Sequence, residues 1–252
     1  MAAHNPASIN VMLDGWSAFH HGYLGVIITY IYDGKRYLIC IGVIPFDDSH
    51  MAVALAAWLK ELLDSWGITG VTDVITSDTA ANMKALMRYI HVDGCTQTNS
   101  ATNCDCFQWG ACICHVLNLV VQKDVMTGVM IARLIEDCKE IAVQHNTSNT
   151  FAAAVRKAQI EVQGRTEDQC LVIKNDVKTR WNSTFLMLAR LLEVKEAVQH
   201  LQDDEHWGEK IPFITAGNWQ LMERLVTVLT DFHEATEMLS SRNTSIAEVI
   251  SC

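Results

Sequence analysis

The feature that most constrains the fold is a pair of strand-forming runs around an Asp-Gly turn. Residues 23–32 and 35–44 are rich in β-branched and aromatic side chains, which favour strands. Asp33 and Gly34 lie between them, and this dipeptide is typical of a two-residue hairpin turn. Another apolar run, 9–13, precedes the pair. The first third of the chain is therefore predicted to be a three-stranded antiparallel meander.

A second informative stretch, V-T-D-V-I-T-S-D-T-A-A-N-M, covers residues 71–83. Its apolar start predicts a buried strand, and a helix is predicted from Ala80 onward. Asp78 thus falls at the carboxyl end of a strand and beside a helix N-terminus, where ligands and metals commonly bind. Ser77, Asp78 or Thr79 could also be only the N-cap of that helix, because these residue types are preferred there.

The order of predicted elements indicates a mixed α/β chain. Three strands, a helix, a strand, a helix and a short strand are followed only by helices after about residue 115. This is the order of a ribonuclease-H-like mixed sheet, a three-strand antiparallel meander plus crossover strands, followed here by an all-helical part. We assign 9–145 to the sheet domain and 146–252 to the helical domain.

Two carboxylates are predicted to meet in this layout. The first strand lies in the middle of the sheet with the crossover strand beside it, so Asp14 and Asp78 come close together. Such a pair suits a hard cation, Mg²⁺ or Mn²⁺. A pair of metals would activate a water or a 3′-hydroxyl for in-line displacement. The implied chemistry is polynucleotide cleavage or strand transfer, and it needs at least one more acid.

Composition limits the setting of this chemistry. The net charge of −10 argues against general nucleic-acid binding by this segment alone, because phosphate affinity rests on Lys and Arg. The longest apolar runs are well short of the ~20 residues of a membrane helix, so no membrane association is expected. Nine cysteines without a secretory signal indicate reduced thiols in the cytosol or nucleus.

Four motifs in order carry a family resemblance: L-D-G-W-S, S-D-T-A-A-N-M, C-I-C-H-V-L-N-L-V-V and T-R-W-N-S-T-F-L-M-L. Together they resemble the hAT superfamily of DNA transposases and its domesticated BED-zinc-finger relatives, over about residues 9–250. The resemblance implies a nuclear protein that acts on DNA with Mg²⁺ or Mn²⁺, and a homo-oligomer is one assembly it allows.

The resemblance makes Asp14 and Asp78 the first two members of a catalytic D-D-E metal triad. The family's third acid lies beyond the helical insertion, and no Glu of this chain maps to it. Glu136 and Glu140 are better interpreted as solvent-facing charges on a helix. The resemblance also implies that an all-helical insertion interrupts the ribonuclease-H-like sheet, with 9–145 an incomplete core and 146–252 the truncated start of the insertion. We therefore expect a transposase-like core whose catalysis is not complete in this chain. The alternative is a domesticated, non-enzymatic DNA-associated or protein-interaction module.

The resemblance also assigns roles outside the acids. Cys112 and His115 match the family's C-x-x-H element. Arg180 and Trp181 match an Arg-Trp pair at the start of the insertion, whose Trp stacks on a DNA base turned out of the duplex. Two structural interpretations stay open. Cys112 and His115 could simply pack at a strand-to-helix junction, with the imidazole hydrogen-bonded to backbone. Trp181 could anchor a core. A zinc site near Cys104 is disfavoured, because C-x-C spacings do not match zinc knuckles.

Overall fold

The computed structural model describes residues 8–46, 51–90, 103–104, 107–177 and 180–240. The chain is divided into two compact units, 1–116 and 117–252. The first unit contains the sheet and the second is helical, as described below. Predictions that concern residues 91–102, 105 and 106 lie outside the described part of the chain.

One mixed sheet organises the first unit. Its strands are β1 (Ile9–Ala18), β2 (His21–Tyr32), β3 (Lys35–Phe46), β4 (Thr72–Ser77), β5 (Asn103–Cys104) and β6 (Phe107–Ala111). Their order across the sheet is β3-β2-β1-β4-β6-β5. The meander β1-β2-β3 is antiparallel, whereas β4 runs parallel to β1 and β6 runs parallel to β4. The predicted mixed α/β class and the meander are therefore confirmed.

Helices α1 (Met51–Ser65) and α2 (Ala81–Tyr89) complete the first unit. The apolar side chains of α1 and α2 are buried in one core with those of the strands. Val11, Ile75, Leu59 and Leu86 are each fully buried there. Burial of this size supplies the main driving force for folding, so the alternation of apolar residues in β1 fixes which side of the strand faces the core.

The strand boundaries differ from the prediction most at three places. β1 continues to Ala18, whereas the predicted strand covered only 9–13, because its second half pairs with β2; Asp14 therefore lies inside the strand. β3 continues through Pro45, because β3 is the edge strand of the sheet and a proline there need not donate to a neighbour. β6 occupies 107–111, which were predicted to be mostly loop, and a helix begins at Ile113, where a short strand was predicted. The prediction failed because F-Q-W-G-A lacks β-branched residues, and its strand conformation depends on pairing with β4.

Six further helices follow: α3 (Ile113–Val120), α4 (Val129–Thr147), α5 (Asn149–Gln163), α6 (Trp181–Glu193), α7 (Lys195–Gln202) and α8 (Ala216–Ser240). The sequence predicted single helices over 115–144 and 181–201, and both are interrupted. The first is broken at Gly128, whose backbone is not helical. The second is broken at Val194, where the backbone leaves helical geometry while its side chain stays fully buried. Tertiary packing therefore overrides helical periodicity at Val194.

The helical unit has its own core, to which α4 to α8 all contribute. Helix α4 contacts α5, α6 and α8, so it belongs to the helical unit. The compact units accordingly divide at Val116/Leu117, inside α3, whereas the sequence placed the domain boundary after residue 145. None of the described helices combines the length and the apolar character needed to cross a membrane.

Candidate metal and nucleic-acid site

The two predicted acids lie on neighbouring parallel strands. The ladder between β1 and β4 pairs Met12 with Thr76 as its last pair. Asp14 stands two residues further along β1, and Asp78 directly follows Ser77, the last residue of β4. Because side chains alternate along a strand, the Asp14 side chain lies on the same face of the sheet as that of Met12. The topology thus places Asp14 on the strand next to the one whose end carries Asp78.

Asp78 is held by a short turn at the end of β4. Its Oδ1 accepts a hydrogen bond of 3.0 Å from the backbone N–H of Ala80. The N-cap of α2 is Ala80 itself, and no side chain caps this helix. Asp78 is therefore not the N-cap of α2, although its carboxylate still has a structural role in this turn. The bond orients the carboxylate through Oδ1 and stabilises a turn that Asp commonly forms.

The strand end beneath Asp78 is well fixed. Ser77 is buried, its hydroxyl donates to the Asp78 carbonyl oxygen at 2.9 Å, and it accepts from Trp109 Nε1 at 2.9 Å. A rigid strand end is a suitable support for an orienting carboxylate.

Asp14 lies exposed on β1 beside an aromatic pair that the sequence prediction did not include. It pairs with Gly25 of β2. A Cβ at Gly25 would come within 3.0 Å of the Trp16 ring, so this ring lies over the glycine backbone. Trp16 in turn stacks on Tyr23 with ring centroids 5.6 Å apart, and Trp16 remains 40% exposed. The two-residue spacing from Asp14 places Trp16 on the same face, and that spacing could have identified it.

The C-x-x-H element directly follows β6, whose last residue pairs with the last residue of β4. The backbone N–H of Cys112 donates to the Ser77 carbonyl at 2.8 Å, which sets Cys112 beside Asp78. His115 is three residues further, in the first turn of α3, so the two side chains lie on one side of that turn. Within the described residues the His115 ring makes no hydrogen bond, so the predicted bond from the imidazole to backbone is not seen there.

The metal-binding potential of this edge rests on two carboxylates. Across the described ranges, no three His, Cys, Asp or Glu side chains converge on a point that could hold a metal ion. Mg²⁺ is commonly held by one or two carboxylates together with waters and substrate phosphate, so Asp14 and Asp78 are a donor set that fits it. The Cys104 and Cys106 side chains, part of the disfavoured zinc alternative, lie outside the described part.

In the helical unit, Trp181 is a core residue. It opens α6 and is only 3% exposed. Its ring lies 6.3 Å from Phe185 and 6.4 Å, edge-on, from Phe232, and its backbone N–H donates to Asn118 Oδ1 at 3.1 Å. A DNA base cannot stack on a ring enclosed in this way. In this conformation Trp181 is therefore a core anchor, which was the structural alternative to DNA stacking. Arg180 is exposed at the N-cap position of α6.

A buried carboxylate, which the sequence analysis missed, fixes the segment that leads into α6. The Asp176 side chain is 6% exposed and accepts from Thr184 Oγ1 at 2.7 Å, Ser183 Oγ at 2.9 Å and Lys139 Nζ at 3.1 Å. Burial raises the pKa of Asp176, but the three donors outweigh it and the pKa lies below its usual range. No local pattern could reveal this network, because Lys139 joins it from a distant helix.

These features define a class: a mixed α/β unit that carries one aspartate within a strand and another just after the end of the neighbouring parallel strand, followed by a helical unit. Comparison with known proteins shows what the chain is similar to. Residues 110–228 match the family model of the ZBED1 RNase-like helical domain. The chain is similar to hAT-type transposase-like proteins and their domesticated BED-zinc-finger relatives, as the four motifs implied.

Individual relatives agree with this assignment. The AC transposase of Zea mays is 28% identical over 245 residues, which is 94% of this chain and 29% of that protein. The AC9 transposase of the same species is 28% identical over 77% of this chain and 22% of its own length. Zinc finger BED domain-containing protein 4 of Homo sapiens is 24% identical over 55% of this chain and 11% of its length. The chain thus spans less than a third of each of these relatives.

Proposed function

We propose that this chain contributes the core of a hAT-type transposase-like protein, with a ribonuclease-H-like sheet whose ancestral chemistry is metal-dependent DNA cleavage and strand transfer. The observation that carries the proposal is the placement of Asp14 on β1 beside the parallel strand β4, whose end is followed directly by Asp78. The strand order, with an antiparallel meander on one side of β1 and parallel strands on the other, supports the ribonuclease-H-like topology.

In this proposal Asp14 and Asp78 hold Mg²⁺ or Mn²⁺. The metal, when bound, supplies an activated water or hydroxyl and stabilises the leaving oxygen. The bond from Ala80 orients the Asp78 carboxylate, while Asp14 is exposed to an incoming phosphate. A third acid is required for the complete triad, and none is assigned. The names of the relatives support DNA as the partner and the nucleus as the location.

The alternative, a domesticated DNA-associated or protein-interaction module without catalysis, is favoured by one specific observation. Trp181, the residue that would stack on a flipped base, is enclosed by aromatic side chains. An acidic chain of net charge −10 also offers little general attraction to phosphates. Both facts suit a protein that keeps the fold while its DNA contacts lie elsewhere.

Calorimetric titration with Mn²⁺ tests the metal site. We compare the wild-type chain with Asp14→Asn, Asp78→Asn and the control Asp73→Asn, which removes a carboxylate at the opposite end of the same strand β4. Binding that is lost in the first two variants and kept in the control supports one shared site. Absence of binding to the wild-type chain at millimolar Mn²⁺, or equal loss in the control, contradicts the proposed site.

A second experiment separates the two candidate functions. Nicking of supercoiled plasmid by the wild-type chain with Mg²⁺, abolished by Asp14→Asn, supports a working phosphodiester site. DNA binding that persists in EDTA without any nicking supports the domesticated module. Fluorescence anisotropy with Arg180→Gln then tests the predicted DNA contact. Arg224→Gln, which removes another exposed arginine of the helical unit, is its control.

A further inference from the structure

A cavity of about 230 Å³ lies within the helical unit, apart from the carboxylate pair. The end of α4 contributes His145 and Asn146, α5 contributes Arg156 and Gln159, and the segment after α5 contributes Cys170. Nothing in the proposed metal site or in the family motifs uses these residues. The cavity is large enough to hold one small polar group with a few waters.

His145 is the unusual residue of this cavity. It is only 8% exposed, and its Nδ1 is buried without a hydrogen-bond partner. Burial, together with the nearby Arg156 guanidinium, lowers the pKa of His145. A titratable ring that is buried beside a cation, without an acidic partner, is an unusual arrangement in a core and often marks a binding site.

The remaining polar groups of the wall are already paired. Gln159 donates to the Leu171 carbonyl at 3.0 Å and accepts from the Leu171 N–H at 2.8 Å. Asn146 Nδ2 donates to the Ala142 and Ile173 carbonyls. The single S–H of Cys170 is within hydrogen-bonding distance of two backbone carbonyls, that of Thr166 at 3.4 Å and that of Arg156 at 3.7 Å. These bonds fix the wall in place, so the donors still available to a ligand are those of Arg156 and His145.

The charge of the lining is one-sided. Arg156 is the charged lining residue, and no Asp or Glu stands among the described residues that line the cavity. Its ion pair with Glu167 is long, at 4.0 Å, and both side chains are largely exposed, so the pair is weak. A ligand that only accepts hydrogen bonds and carries negative charge would therefore complement this site.

We propose that this cavity binds a phosphate group. Arginine binds phosphate oxygens through two parallel N–H donors, and the neutral His145 ring beside it supplies a further donor in the tautomer that carries its proton on the unpartnered Nδ1. The group could come from a free phosphate monoester, such as a nucleotide, or from the phosphodiester backbone of a nucleic acid. The proposal does not depend on the metal site, because it concerns residues of the helical unit alone.

The matched variants are neighbours on α5. Arg156→Gln removes the lining cation, and Lys157→Gln removes the next cation, which pairs with Glu161 at 3.5 Å and is not among the lining residues. Each loses one charge from a weak surface ion pair. We expect Arg156→Gln to weaken binding of inorganic phosphate about tenfold or more in calorimetry, because it removes charge-assisted hydrogen bonds. Lys157→Gln should stay close to the wild-type affinity.

Two further measurements complete the test. Phosphate should shift the NMR signals of the His145 ring in the wild-type chain, which decides the question even if Arg156→Gln folds poorly. Competition by deoxyadenosine monophosphate indicates a terminal phosphate as the ligand, whereas competition only by an oligonucleotide without terminal phosphates indicates the backbone. No binding by the wild-type chain at about ten millimolar phosphate, an unmoved His145 signal or equal weakening by Lys157→Gln would overturn the proposal.

Discussion

Replacing Trp181 with alanine should strongly destabilise the helical unit. The side chain is 3% exposed and contacts Phe185 and Phe232. A buried aromatic side chain removes roughly 150–250 Å² from water, which at about 25 cal/mol per Å² corresponds to about 4–6 kcal/mol. Measured Trp→Ala changes in cores cost about 3–5 kcal/mol, so we expect a loss of about 4 kcal/mol in the free energy of unfolding. Trp181→Phe keeps one ring and should cost about half as much.

Urea denaturation followed by circular dichroism at a helical wavelength measures this loss. The control is Trp66→Ala, in the first unit, where the side chain is already 41% exposed and the cost should stay below about 1 kcal/mol. If the free energy of unfolding of Trp181→Ala equals that of the wild-type chain, the argument that Trp181 anchors the core is refuted, because a ring that contributes nothing to stability is not enclosed in solution. The residue would then be free to stack on a base, and the transposase interpretation of Trp181 would gain support.

Three other substitutions have expected outcomes, each read from urea denaturation. Asp176→Asn should cost about 1–2 kcal/mol at pH 7, because it loses the ion pair with Lys139. Folding lowers the pKa of Asp176, so the stability that its carboxylate contributes is present above about pH 4 and is lost as the pH falls through the folded-state pKa. The unfolding free energies of variant and wild type should therefore converge in acid. Gly208→Ala should cost about 1–3 kcal/mol, since a Cβ there would lie 2.6 Å from the Gln202 carbonyl oxygen. Its control is Gly217→Ala at the start of α8, where a Cβ would meet only Thr215 Oγ1 at an ordinary 3.9 Å, so that change should be neutral or slightly stabilising. Equal effects of the two substitutions would contradict the steric argument. Asp14→Thr should leave the unfolding free energy unchanged or raise it by up to about 1 kcal/mol while abolishing Mn²⁺ binding, and a clear loss of stability would show that Asp14 has a structural role.

The sequence predicted those parts of the fold that local chemistry determines. The Asp33-Gly34 turn adopts positive φ at both residues, as a hairpin of this kind requires, and the meander follows from it. Strand β6 and the helix break at Val194 depend on tertiary partners, so no local pattern revealed them. The helix break at Gly128 did have a local signal, since glycine disfavours a helix interior, but the apolar periodicity on both sides outweighed it in the prediction.

The candidate site divides in the same way. Asp78 could be placed because the end of its strand is visible in sequence, whereas Asp14 was placed at a strand end and lies instead inside β1, which pairs with β2 up to Ala18. Asp176 could not be identified, since its three donors come from α6 and from Lys139 of α4. The enclosure of Trp181 also depends on Phe232, which comes 51 residues later in the chain, so the motif alone left both interpretations open.

The contrast between Asp14 and Trp181 bears on how this chain is used. Aspartate disfavours strand interiors, and Asp14 lies exposed within β1 without a hydrogen bond to any described residue, so the fold gives no reason for this residue type at that position. Trp181 is the opposite case, because the helical core itself explains it. A chain that only conserved its fold would be expected to keep the tryptophan and to lose the aspartate. Asp14, unlike Asp78, which accepts a hydrogen bond from Ala80, is therefore the sharper test of a ligand at this edge, and the metal titration with Asp14→Asn makes that test directly.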